Sequence, residues 1–411
     1  MYLFISIPVK TTVLPGHKSN IQLRAPPPLL QTVANARTTL RLFFLKHRDA
    51  VDRGQYDAAF GTEQHRTSIV QELGQAISIY QSLVLGVVAA DPLFQHCRYY
   101  YWSESLSSKN NLAVDDTNYD LANVHYNAAA IYMELSKYLV SKCNEHNVDA
   151  MEKEAYGYLC NAAGHYQTAL GLIQKMASSD SSSALIKHDE LYEDIKIGFL
   201  TMMLKVALAQ AQEIGASKAF HNPDNKGKEI ISSLSRTAAD LYQEALTAAT
   251  KQVMLDTGSF VNFKHVVHLK GKMFSCLAYS HASASRFDKQ PKEGLYFLFQ
   301  SQLLLKECSE FMGKNKKGMP PDVSHFFQAC SSTVQSNTHR IEQLNNLVVR
   351  EKAAEGPVDL PRAVVLAKPK MPPASAIPDV ISPISLENPQ NELVEGFVTI
   401  EKEQLKPDIK K

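Results

Sequence analysis

Asn161–Leu170 reads NAAGHYQTAL and Thr237–Leu246 reads TAADLYQEAL, six identities in ten positions. A shorter copy precedes both: Asn127-Ala128-Ala129 with Tyr132 recurs as Asn161-Ala162-Ala163 with Tyr166, 34 residues later. Paired alanines let two helix axes approach closely, and the tyrosine fills the space beside them. A 34-residue spacing is that of tetratricopeptide helical hairpins, units that bury their apolar faces only by stacking on neighbours. The second and third copies lie 76 residues apart, not a multiple of 34, so the array is irregular. The expected fold is all-α with a tetratricopeptide-like solenoid core and extra helices around it.

Outward from the echo, helical spacing continues. Leu121, Val124, Ala128, Ile131, Leu135 and Tyr138 step by three and four and share one face. Asp115, Asp116 and Thr117 stand just before them as capping residues. Pro291 suits the first position of a helix ending near Gly313. Further helices are predicted over 30–50, 63–90, 186–220, 228–254, 258–288 and 323–350. The aromatic run Tyr99-Tyr100-Tyr101-Trp102 predicts a strand, pairing with a second strand at the N-terminus (MYLFISIPVK) in a small sheet.

Proline marks the limits. Between Pro28 and Pro291 only Pro92 and Pro223 occur, whereas Glu351–Lys411 holds nine of the nineteen prolines. Proline blocks helix interiors, so the middle of the chain permits long helices and the tail does not. One helical domain over 1–355 followed by an extended, Pro-rich tail over 356–411 is expected.

Composition narrows the function. The 411 residues are 45% hydrophobic and 21% charged, with 43 Lys and Arg against 42 Asp and Glu. A net charge of +1 leaves no basic footprint for nucleic acid. With 18 glycines and no P-loop, GxGxxG or GxSxG pattern, a phosphate-cradling or hydrolase reading is excluded. The six cysteines form no CxxC pair and are expected to be reduced, buried thiols of a cytoplasmic protein. The longest apolar run, Leu83–Ala90, is too short to cross a membrane. Tyr2 and the terminal Ile409-Lys410-Lys411 match no acylation or prenylation signal, so no lipid anchor is expected. His265, His268 and His281 are the only candidate metal ligands, and no carboxylate or cysteine joins them at a diagnostic spacing. No cofactor, metal or catalytic residue is expected.

Five stretches resemble one known family. They are FISIPVKTT (4–12), Trp102 followed by YDLANVHYNAAAIYMEL (119–135), YLCNAAGHYQTAL (158–170), MLKVALAQAQEIGASKA (203–219) and HLKGKMFSCLAYSHASASRF (268–287). Together they are similar to the BRO-one (BRO1) domain, the ALIX-type endosomal-targeting domain of the ESCRT pathway. Ala209-Gln210-Ala211-Gln212-Glu213 is the most specific piece. The resemblance implies a curved, boomerang-like helical body with a small β-sheet, in the short single-domain branch of the family. It implies a non-enzymatic adaptor of endosomal sorting, cytoplasmic and recruited to endosomes through its partners. Its ligand would be the C-terminal amphipathic helix of an ESCRT-III subunit of the charged multivesicular body protein class. An apolar pair in the helix after AQAQE would receive that helix, and here it falls on Ile230 and Leu234, one turn apart. Neighbouring Ser232, Ser233 and Ser235 suit a helix with one exposed face. Two departures bear on affinity. Gly215 stands where a bulky apolar residue often borders the patch, and two extra residues, with Pro223 among them, separate Ala219 from Ile230. The rival readings are a tetratricopeptide scaffold clamping a peptide carboxylate, and a helical metalloenzyme using His265, His268 and His281.

Overall fold

A computed structural model describes residues 4–17, 23, 25–105, 111–178, 191–221, 227–253, 257–315 and 319–374. Ten helices are described: α1 Pro27–Asp52, α2 Tyr56–Phe60, α3 Glu63–Ala90, α4 Thr117–Ser141, α5 Val148–Ser178, α6 Ile197–His221, α7 Lys228–Gln252, α8 Gly258–Arg286, α9 Pro291–Asn315 and α10 Asp322–Leu344. Local chemistry sets their starts. Asp116 caps α4 by accepting from Asn118 N, Thr62 caps α3 from His65 N, and Thr257 caps α8 from Phe260 N. Proline opens α1 and α9, where its missing N–H costs nothing.

From α4 to α9 each helix packs mainly on the one before and the one after, which is the stacked-hairpin core expected from the echo. Its alanine pairs, at 128–129, 162–163 and 238–239, are all buried, as are Tyr132, Tyr166 and Tyr242. Tyr126 meets Tyr166 edge-on at 6.0 Å across the α4–α5 contact. Helices α1 to α3 pack beside α4, and α10 packs chiefly on α8. Of the described helices, α3 alone is long and apolar enough to cross a membrane; its buried Leu73, Ile77, Val84 and Val87 belong to the main core.

Three antiparallel strands form the sheet: β1 Gly16–His17, β2 Arg98–Trp102 and β3 Leu112–Val114, in the order β1-β2-β3. Tyr100 pairs with Val114 and Gly16 with Tyr99. The aromatic strand is where it was predicted. The N-terminal partner is not: among the described residues, 4–10 form no strand, and only Thr12 makes an isolated bridge to Trp102. Helix side chains take the backbone bonds a strand would use. Asn127 accepts from Lys10 N (2.8 Å) and donates to Lys10 O (3.1 Å), and Gln210 bonds both N and O of Ile5.

The helix predicted over 186–220 also begins later, at Ile197; residues 186–190 lie outside the described residues. Before it, a 3-10 turn over Glu193–Ile195 turns Asp194 inward to Lys10 Nζ at 2.8 Å, both side chains fully buried. A second buried centre holds the sheet. Asp120 accepts from Arg37, Trp102 Nε1 (2.7 Å) and Tyr80 Oη (2.5 Å). The six cysteines are free, and all but Cys143 are buried.

After α10 come a π-helical turn over Asn345–Val349 and Arg350 in the left-handed region (φ 57°). Residues 351–374 then run as a strap without helix or strand.

A candidate partner-binding face on helices six and seven

Each polar side chain of the AQAQE element holds a different part of the chain. Gln210 grips Ile5 at the N-terminus. Gln212 points to the strap: its Oε1 accepts from Leu366 N (3.0 Å) and Ala367 N (3.2 Å), and its Nε2 donates to Val364 O (2.8 Å). Glu213 pairs with Lys270 Nζ of α8 at 2.7 Å and accepts from the Tyr242 hydroxyl of α7. All three are buried, and buried polar groups persist only when bonded. Burial pushes the Glu213 carboxyl up and the Lys270 amine down, each opposed by the other's charge. The alanines of the element, Ala209 and Ala211, are buried without exposed surface. This element therefore ties N-terminus, strap and solenoid together.

The strap continues along the same helices. Arg236 Nη1 donates to the carbonyls of Leu360 and Pro361, Thr237 Oγ1 to Val364 O, Tyr156 Oη to Leu366 O, and Lys370 N to Cys160 O (2.8 Å). It lies so close that a Cβ at Gly164 would fall 1.9 Å from Lys370 O, and one at Gly215 would fall 2.8 Å from Leu366 Cδ1. At Gly215 the space of a larger residue is thus filled by Leu366, itself 45% exposed.

On α7 the expected pair divides. Ile230 is 56% exposed, but Leu234 is only 3% exposed, so the two do not form an open apolar strip. The serines expected on an exposed face are also buried: Ser232 Oγ donates to Ala278 O of α8, and Ser233 and Ser235 are covered. Small residues were needed here for close packing of α7 on α8. Ile230 and Thr237 are seven residues apart and share a helix face. Burial closes along that face towards Thr237, where the strap is anchored. Residues 222–226, which include Pro223, lie outside the described residues.

Leu366 was missed in the sequence. Its signal was the apolar run Val364-Val365-Leu366 inside a Pro-rich tail, and all three residues are exposed on the strap.

The histidines do not converge. His265 and His268 both pack on Phe311, with ring centroids at 5.5 and 4.7 Å, and His281 lies further along α8, about 20 Å from His268 and about 24 Å from His265 along the axis. Among the described residues no group of three His, Cys, Asp or Glu side chains is placed to hold a metal.

The sequence model of the BRO1-like domain matches residues 92–396. The chain belongs to the BRO1-domain family. The mouse BRO1 domain-containing protein BROX is 22% identical over 325 residues, covering 74% of this chain and 75% of BROX. The pH-response regulator palA/RIM20 of Pyricularia oryzae is 24% identical over 277 residues, 66% of this chain. The match spans only 29% of that fungal relative. Among solved structures, the ALIX BRO1 domain in complex with CHMP4C superposes with a TM-score of 0.63 at 17% identity, covering 92% of this chain and 99% of that one. A Bro1 domain solved as a basis for endosomal targeting gives 0.57 at 15% identity, covering 90% and 93%. These likenesses establish the helical boomerang fold of BRO1 domains for this chain.

Proposed function

We propose that this chain is a non-enzymatic, ESCRT-related adaptor that captures the C-terminal amphipathic helix of an ESCRT-III subunit on the α6–α7 face. Gly215, Ile230 and Leu234 are the residues assigned to that face, with the strap's Leu366 added beside Gly215. In this reading the protein is cytoplasmic and reaches endosomes through its partners.

One observation carries the assignment. Ile230 is a large aliphatic side chain left in solvent on a helix whose next five residues, Ile231 to Ser235, are all buried. Val365 and Leu366, exposed on the strap that lies across these helices, add further apolar side chains. Burying such a side chain is worth about 1.5–3 kcal/mol before ordering costs. Leu234 supports the face from beneath rather than touching the partner.

The test is a titration of fluorescent ESCRT-III C-terminal helical peptides against the full chain and an Ile230→Asp variant. The expected result is saturable binding, weakened tenfold or more by the substitution. Full-affinity binding by Ile230→Asp overturns the site, and no binding of any such peptide overturns the function.

A further inference from the structure

Helix α9 turns one face, with Phe297, Leu298, Ser301 and Cys308 buried on it, towards α8 and α10. On its opposite face stand Lys292, Tyr296, Phe299, Leu303, Lys306 and Glu310; Tyr296 is half-buried and the other five are exposed. Phe299 is 69% and Leu303 51% exposed, two large apolar side chains one turn apart in water. The six positions follow one another in alternate steps of four and three. That is the narrow seam of a coiled coil, here about 27 Å long.

The seam is complementary to itself. Positions 299 and 303, 296 and 306, and 292 and 310 each lie symmetrically about Ser301. An antiparallel helix of the same sequence therefore sets Phe299 on Leu303, the Tyr296 ring on the Lys306 ammonium, and Lys292 on Glu310. Two-fold symmetry makes each contact twice. A cation over a tyrosine ring and an opposite-charge pair are both attractive. Parallel pairing would instead set Lys292, Lys306 and Glu310 each on its own copy, which like charge disfavours. In its own chain Lys292 comes only within 3.9 Å of Glu351. Glu293 and Glu307 flank the seam and would face each other across it, but each already has a cation, Arg286 and Lys272 respectively. Leu347 and Val348, 76% and 73% exposed, widen the apolar surface near the start of α9, because the adjoining Val349 packs in one small cluster with Leu295.

We propose that this face of α9 docks a second copy of the chain, closing as a two-fold symmetric, antiparallel α9–α9 pair. A single helix pair of this length buries less than the roughly 1,600 Å² of a standard interface, so the dimer is weak and concentration-dependent. The seam shares no residue with the face assigned to partner capture.

Sedimentation equilibrium of the full chain from about 1 to 500 µM covers the affinities such a contact gives. A monomer–dimer equilibrium is expected. Phe299→Asp and Leu303→Asp should each weaken it by roughly tenfold or more, with unchanged melting temperature because both residues are exposed. Lys292→Glu alone brings carboxylates together at both ends of the pair, and Glu310→Lys alone brings ammonium groups together, so each should weaken self-association roughly threefold. An equimolar mixture of these two variants pairs unlike charges at both ends and should associate as tightly as the parent. The charge variants carry the test even where an Asp variant fails to fold. Monomer at every concentration would overturn the proposal and leave the seam to a helix of another protein. Undiminished dimerisation of folded Phe299→Asp, or a mixture associating no better than its components, would reject the antiparallel α9 pair.

Discussion

Ile230 and Leu234 are one turn apart and chemically alike, yet burial assigns them opposite behaviour. A carboxylate at Ile230 stays hydrated, so Ile230→Asp should melt within about 2 °C of the parent, a surface change of under about 0.5 kcal/mol. A carboxylate at Leu234 would be buried out of water, so Leu234→Asp should unfold at much lower temperature or express insolubly. Calorimetry on both variants reads this directly; equal melting temperatures would contradict the burial difference. Glu213→Ala should be as damaging, at about 3–5 kcal/mol, because it takes the carboxylate of a buried ion pair away from the Lys270 ammonium. Denaturant titration of Glu213→Ala beside the double variant Glu213→Ala, Lys270→Met separates the lost charge pairing from the lost packing. The AQAQE residues were recognisable in sequence, but their three separate jobs were not, because Ile5, Leu366 and Lys270 reach them only through tertiary contacts.

The strap is the element in which sequence and structure differ most in information. Proline density showed that residues beyond about 350 continue no helix. It carried nothing about Gln212, Thr237, Arg236 and Tyr156 receiving their backbone, since those partners lie more than a hundred residues away. Gly164 is a test of that seat. Gly164→Ala sets a methyl against Lys370 O, so the strap must lift and Lys370 N must leave Cys160 O. A cost of about 1–3 kcal/mol is expected, read as a lower denaturation midpoint and faster amide exchange at Lys370. A chain ending at 374 should likewise melt several degrees above one ending at 355, the domain limit placed by proline content. Equal melting temperatures would support that limit.

Across the whole molecule, buried histidines set the acid side of stability. Burial pushes His47, His125 and His281 down to about 4 from an ordinary 6.5. Between those values the unfolded chain takes up protons that the folded chain refuses. Stability is therefore full above about pH 6.5 and falls as pH drops towards 4, by up to about 1.4 kcal/mol per pH unit for each histidine. His125 also shares a 2.9 Å bond with His165, which one proton on each ring would break. Melting temperatures should hold from pH 7.5 to about 6.5 and decline steadily from there to pH 5, and a flat profile across that lower range would contradict neutral burial of these rings.

Periodicity alone was enough for the stacked helices, because a 3.6-residue repeat of apolar side chains and alanine pairs at matching positions are local properties that hairpin stacking preserves. Capping residues likewise marked the start of α4 within the chain's own first turn. Three things were decided only by the tertiary structure. The N-terminal stretch reads as a strand, but Asn127 and Gln210 satisfy its backbone from helices instead. Ser232, Ser233 and Ser235 read as a solvated face, but packing of α7 against α8 buries them, and small side chains permit that approach. Gly215 reads as a gap in an apolar patch, and Leu366, 151 residues later, fills it. In each case the residue's own pattern is ambiguous between water and a distant neighbour, and only the folded chain supplies the neighbour.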